Sequence, residues 1–108
     1  MLGIVLVQQG KYQDALEILR RAKQLDPQDA KNRNYLGITC SRLGLSKEAE
    51  SEIREAIALD ENYGDAHFNL AVVYASQMPP AKEPARKHYQ RALQLGIPKD
   101  RELEKLIR

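Results

Sequence analysis

Tryptophan is missing from these 108 residues, and phenylalanine and cysteine occur once each. Any core must therefore be built from Leu, Ile, Val, Ala and five tyrosines. The lone Cys40 excludes an internal disulfide framework. His-Glu-x-x-His, paired cysteines and a glycine-rich phosphate loop are all lacking, so no signature of zinc or nucleotide chemistry is present. Neither charge dominates. The 17 basic and 15 acidic residues leave a formal charge of +2, too near balance to make nucleic acid or an anionic membrane the main partner. No apolar run is long enough to span a bilayer, so membrane insertion is not expected.

What the chain does have is a period. Shifted by 34, Leu2, Gly3 and Gly10 fall on Leu36, Gly37 and Gly44, and Ala15, Leu19, Ala22, Leu25 and Asp26 fall on Ala49, Ile53, Ala56, Leu59 and Asp60. A second step takes Leu36 and Gly37 to Leu70 and Ala71. Ala49, Ile53, Ala56 and Leu59 then reach Ala85, Tyr89, Ala92 and Leu95 at a step of 36. Two residues are inserted in the third unit, and the stretch 77–82 with Pro79 and Pro80 is where they fit, because paired prolines break a helix. Three periods of 34 leave six residues over.

Within each unit the apolar residues follow the helical spacing, as in Tyr12, Ala15, Leu16, Leu19 and Ala22. The pattern predicts seven helices at 2–9, 12–25, 28–42, 46–59, 63–77, 82–95 and 100–107. Gly10, Gly44 and Gly96 mark helix ends, and Asp26 before Pro27 reads as an N-cap followed by a first-turn proline. Small residues at Gly37, Ala71, Ala15, Ala49, Ala22 and Ala56 let antiparallel helices approach closely, while Leu19, Ile53 and Tyr89 fill the space beside them. One such pair cannot bury both faces, so the pairs should stack.

With these residues the chain resembles the tetratricopeptide repeat family. The first unit supplies Leu2, Gly3, Leu6, Gly10, Tyr12, Ala15, Leu19, Ala22 and Pro27 of its pattern; the second, Leu36, Gly37, Cys40, Gly44, Ala49, Ile53 and Ala56; the third, Leu70, Ala71, Tyr74, Ala85, Tyr89 and Ala92. Departures are Arg33 and His67 at the first large position, Ser46 for the aromatic and Glu61 for the proline. The resemblance implies an all-α fold, a right-handed α-α superhelix of three helix-turn-helix units with a C-terminal capping helix. As one repeat domain over 1–108, the units run 1–29, 30–63 and 64–99, with the cap at 100–108. It further implies a non-catalytic scaffold that binds a peptide or helix of a partner protein in a concave groove formed by the first helix of each pair.

Carried over position by position, that groove is lined by Asn34, Tyr35, Ile38, Arg42, Phe68, Asn69 and Val72, an apolar floor with amides and one guanidinium at its edges. One subclass of the family clamps a terminal carboxylate with Lys and Asn residues. Here Asn69 matches the middle Asn and Arg101 with Lys105 approximate the last pair, but Asn34 and Ile38 stand at the first pair, so the clamp is incomplete. The competing reading is structural: Leu2, Ile4 and Val5 of the first helix pack on another copy or another repeat, giving a homo-oligomer.

Other chemistry finds little footing. Cys40 aligns with Leu6 and Tyr74 and reads as a buried small side chain, His67 takes a packing position, and His88 is expected to face solvent. Lys82, Arg86, Lys87 and Arg91 are spread around their helix rather than gathered in a stripe, so nucleic acid is not the expected ligand. No catalytic residue, metal ligand or cofactor is assigned, and the chain reads as no enzyme. The uncharged stretch 1–7 could pass for a secretory apolar region, but no basic residue precedes it and it runs in register into the repeat. Because the first unit starts in mid-pattern and its helix is uncapped, the expectation is a C-terminal piece of a longer repeat protein. The compartment stays open, with the cytoplasm slightly favoured.

Overall fold

The computed structural model describes all 108 residues. They form seven helices and no strand: α1 (Leu2–Gln8), α2 (Tyr12–Leu25), α3 (Ala30–Arg42), α4 (Ser46–Leu59), α5 (Gly64–Ala75), α6 (Lys82–Gln94) and α7 (Arg101–Leu106). Two compact units divide the chain, Met1–Glu61 with α1 to α4 and Asn62–Arg108 with α5 to α7. None of the helices is long and apolar enough to cross a membrane.

The turn inside each helix pair repeats one backbone device. After α3, Gly44 adopts φ +80° and the N–H of Leu45 donates to the carbonyl of Cys40 at 2.8 Å, satisfying a carbonyl the helix leaves open. Lys11 donates in the same way to Leu6 at 2.8 Å, and Ala81 to Tyr74 at 3.0 Å. Leu6, Cys40 and Tyr74 are spaced by 34, whereas their donors follow after five, five and seven residues. The two extra residues of the third unit are thus taken up between Tyr74 and Ala81, where Pro79 and Pro80 replace the turn glycine.

The connection from α2 to α3 differs from the sequence expectation. Asp26 caps the C-terminal end of α2, and its carboxylate accepts the N–H of Gln28 at 3.2 Å. Asp29 is the N-cap of α3, accepting from the N–H of Asn32 at 3.2 Å, so Pro27 lies in the connecting turn rather than in the helix. The physical reason is choice between two aspartates three apart: only Asp29 places its carboxylate over the N–H groups of a helix that starts at Ala30.

In the first unit Ala15, Leu16, Leu19, Leu36, Cys40, Ala49, Ile53 and Ala56 form the core. Burying each of the large aliphatic side chains contributes roughly 1.5–3 kcal/mol. Gly3 lies against Leu19, since a Cβ there would stand 2.7 Å from Leu19 Cδ2, and Gly37 lies against Ile53 in the same relation. A buried carboxylate ties three helices together. Glu52, 4% exposed, accepts from Lys23 of α2 and, at 3.0 Å, from Arg33 of α3. Arg33 also donates to the Pro27 carbonyl at 3.2 Å. This explains an Arg at a position the family fills with a large apolar residue: its stem packs and its head neutralises Glu52.

In the second unit α5 packs on α6 and α7 packs on α5. Leu103 and Ile107 are buried, and Asp100 caps α7 by accepting the Leu103 N–H at 3.0 Å. The Tyr89 hydroxyl donates to Glu104 and accepts the Asp100 N–H at 2.9 Å. At the other end of α7, Arg86 donates to the carbonyl of Ile107 and Lys82 to that of Arg108 at 3.0 Å. Cations at a helix C-terminus meet the negative end of its dipole.

Candidate partner-binding surface

The seven groove residues of the sequence reading do not share one environment. Asn34 is 2% exposed and its amide belongs to the interior, not to an accessible edge. Tyr35 and Ile38 are half-buried and Arg42 exposed, and their spacing of three and four puts them on one face of α3. In the second unit Phe68, Asn69 and Val72 are half-buried along α5. The row on α3 and the row on α5 each combine half-buried apolar surface with a polar head, Arg42 in one and Asn69 in the other.

Side-chain hydroxyls bond back to the backbone along both rows. Thr39 is buried and its hydroxyl donates to the carbonyl of Tyr35 at 2.8 Å, while the Ser76 hydroxyl donates to that of Val72 at 2.8 Å. Arg42 is steered by an aromatic that the sequence reading placed in the core: its guanidinium carbon lies 5.9 Å from the centre of the Tyr12 ring. Nothing in the spacing of Tyr12 and Arg42, thirty residues apart, announces that contact. Within the first unit α1 and α3 contain no Asp or Glu, and Lys31, Arg33 and Arg42 are their only charged residues. With Arg33 engaged by Glu52, the accessible charge on these helices is positive.

On α1, Leu2 is 60% and Val5 41% exposed, while Ile4 is half-buried. Cys40 is fully buried, and burial together with the neighbouring Glu48 carboxylate pushes its thiol up to about 12, far from a nucleophile's range. No group of three or more His, Cys, Asp or Glu side chains gathers in a metal-binding arrangement. Of the basic residues on α6, Lys82 and Arg86 hold α7, and Arg91 donates to Asn62 at 2.8 Å and Gln94 at 3.2 Å. His88 departs from the expectation that it faces solvent: it is half-buried and meets His67 across α5 and α6.

Comparison with known proteins gives one consistent answer. Two tetratricopeptide repeat family models match residues 6–56 and 36–100. The chain is 33% identical over 72 residues to the TPR repeat-containing thioredoxin TTL4 of Arabidopsis thaliana, covering 67% of this chain and 11% of that protein. It is 30% identical over 83 residues to the probable UDP-N-acetylglucosamine--peptide N-acetylglucosaminyltransferase SPINDLY of Hordeum vulgare, covering 70% of this chain and 9% of that protein. It therefore spans only a small part of the length of these relatives. Among solved structures, the first TPR of Spaghetti (RPAP3) bound to the HSP90 peptide SRMEEVD superposes with a TM-score of 0.83 at 26% identity, covering 97% of this chain and 81% of that one. YrrB, a TPR protein with an unusual peptide-binding site, gives 0.79 at 29% identity, covering 94% and 50%. The chain belongs to the tetratricopeptide repeat family, whose all-helical fold it shares.

Proposed function

We propose that this chain is a non-catalytic protein-interaction module that receives an extended peptide or a helix of a partner protein on the first helices of its pairs. Tyr35, Ile38 and Arg42 of α3 and Phe68, Asn69 and Val72 of α5 make the contacts, with Asn34 supporting them from the interior. The observation that carries this reading is the pair of rows itself: apolar side chains left half-covered at helical spacing, each beside a hydrogen-bonding head. Relatives lend support, since the Spaghetti TPR structure holds an HSP90 peptide and YrrB has a peptide-binding site. Apolar floor buries side chains, and amide or guanidinium groups bond the backbone or carboxylates of the guest.

A second reading, self-association, rests on the exposure of Leu2 and Val5 on α1. The two separate by experiment. Phe68→Ala with Asn69→Ala should abolish partner capture and leave the mass in solution unchanged; Ile4→Glu should leave capture intact. If only Ile4→Glu has an effect, and that effect is on mass, the α3 and α5 rows are not the working surface. Nucleic acid is set aside because Lys82, Arg86 and Arg91 are engaged within the second unit.

A further inference from the structure

The helical carboxylates of the first unit are segregated. Asp14, Glu17, Glu48, Glu50, Glu52 and Glu55 all stand on α2 and α4, and α1 and α3 carry none. On α3, Lys31, Tyr35, Ile38 and Arg42 follow one another at steps of four, three and four, so they form a single stripe about three turns, or about 16 Å, long. Its ends are exposed cations and its middle is half-buried apolar surface. Ile4 and Gln8 of α1, a helix that touches α3, stand one repeat before Ile38 and Arg42 and add no charge.

Both cations are uncommitted. Arg20, Lys23, Arg33 and Arg54 of this unit are engaged in ion pairs, whereas Lys31 and Arg42 are in none. The carboxylates just before Lys31, those of Asp26 and Asp29, accept the N–H groups of Gln28 and Asn32. Arg42 stands over the Tyr12 ring, 5.9 Å from its centre, a contact that uses the flat face of a guanidinium and leaves its N–H edge for an acceptor. A side chain already held gives up less freedom when a guest arrives.

Two cations flanking an apolar patch call for two anions flanking an apolar side chain. An extended chain advances about 3.3 Å per residue and alternates its side chains, so groups on one face are an even number of residues apart. Four residues span about 13 Å and six about 20 Å, which bracket the stripe. Flexible Lys and Arg stems take up the difference.

We propose that the α3 stripe selects an extended acidic peptide, with two Asp or Glu side chains four or six residues apart and an apolar residue at an even position between them. The carboxylates meet Lys31 and Arg42, and the apolar side chain covers Tyr35 and Ile38. This rests on the α3 row being a working surface. It differs from the carboxylate clamp of the family, which would begin at Asn34 and Ile38.

A random peptide library displayed against the intact chain tests it. The parent should enrich acidic pairs at these separations, Lys31→Gln/Arg42→Gln should lose that enrichment, and Lys31→Glu/Arg42→Glu should enrich Lys and Arg there instead. Peptides selected on the parent should bind Lys31→Gln/Arg42→Gln about tenfold or more weakly. Arg21→Gln/Lys47→Gln, which removes the same charge from exposed positions of α2 and α4, should select as the parent does. Should the Glu variant not fold, the Gln variant decides. Selected peptides without acidic pairs, or acidic enrichment that survives in the stripe variants, overturn the proposal. If such peptides still lose affinity with Ile38→Ala, the α3 row stands as a binding surface of another preference; if they do not, both readings fall.

Discussion

Gly37 leaves no room for a methyl group beneath Ile53. A Cβ at Gly37 would stand 3.0 Å from Ile53 Cδ1 and 3.2 Å from the Ala49 carbonyl oxygen, and nearer still to Ile53 Cγ1. Alanine would gain about 1 kcal/mol of helix propensity, but overpacking this fully buried contact costs about 1–3 kcal/mol. Gly37→Ala should therefore lower the urea midpoint of unfolding. A neutral or stabilising Gly37→Ala would contradict the close approach of α3 and α4.

The two aspartates before α3 differ in role. Asp29→Ala removes the N-cap and should destabilise by about 0.5–2 kcal/mol, whereas Asp26→Ala loses only an exposed turn bond to Gln28. Denaturant titration of both variants checks the order; a larger loss at Asp26 would restore the capping role that the sequence pattern suggested.

That case shows where sequence reasoning stops. The period of 34 and the spacing of Ala15, Leu19, Ala49 and Ile53 were legible because burial repeats with the helix. Choosing between Asp26 and Asp29 depends on which residue's backbone leaves the helical path, and spacing does not carry that. Phe68, Asn69 and Val72 were legible as accessible, while Asn34, at the position equivalent to Phe68, is buried. Likewise Lys82 and Arg86, which the sequence shows only as part of a basic charge spread around their helix, donate to the carbonyls of Ile107 and Arg108. His88 pairs with His67 through a contact 21 residues apart, which no local pattern encodes.

Cys40 should be chemically silent in the native chain. Fully buried, with its thiol pushed up to about 12, it should resist iodoacetamide at pH 8 and react at the rate of a free thiol once the chain is unfolded. Rapid native alkylation, followed by mass spectrometry, would show that the first unit opens there.

Tyr89 fastens α7. Burial first, and then its bond to Glu104, hold its phenol above the ordinary tyrosine range. Since the folded chain keeps this proton more tightly than the unfolded one, the contribution is complete at neutral pH and fades as pH rises past the unfolded tyrosine value into the folded one. Tyr89→Phe should cost about 0.5–1.5 kcal/mol and speed amide exchange in α7 more than in α2. Exchange unchanged in α7 would mean that Leu103 and Ile107 alone hold it.

The most direct measurement concerns the two half-buried rows on α3 and α5. Peptide ligands selected by display against the intact chain, then titrated calorimetrically, should lose affinity tenfold or more, at least about 1.4 kcal/mol, with Phe68→Ala/Asn69→Ala and with Ile38→Ala/Arg42→Ala. Lys47→Ala/Arg54→Ala, on the exposed side of α4, should bind as the parent does. Unchanged affinity in both row variants, with loss confined to the α4 variant, would contradict the account.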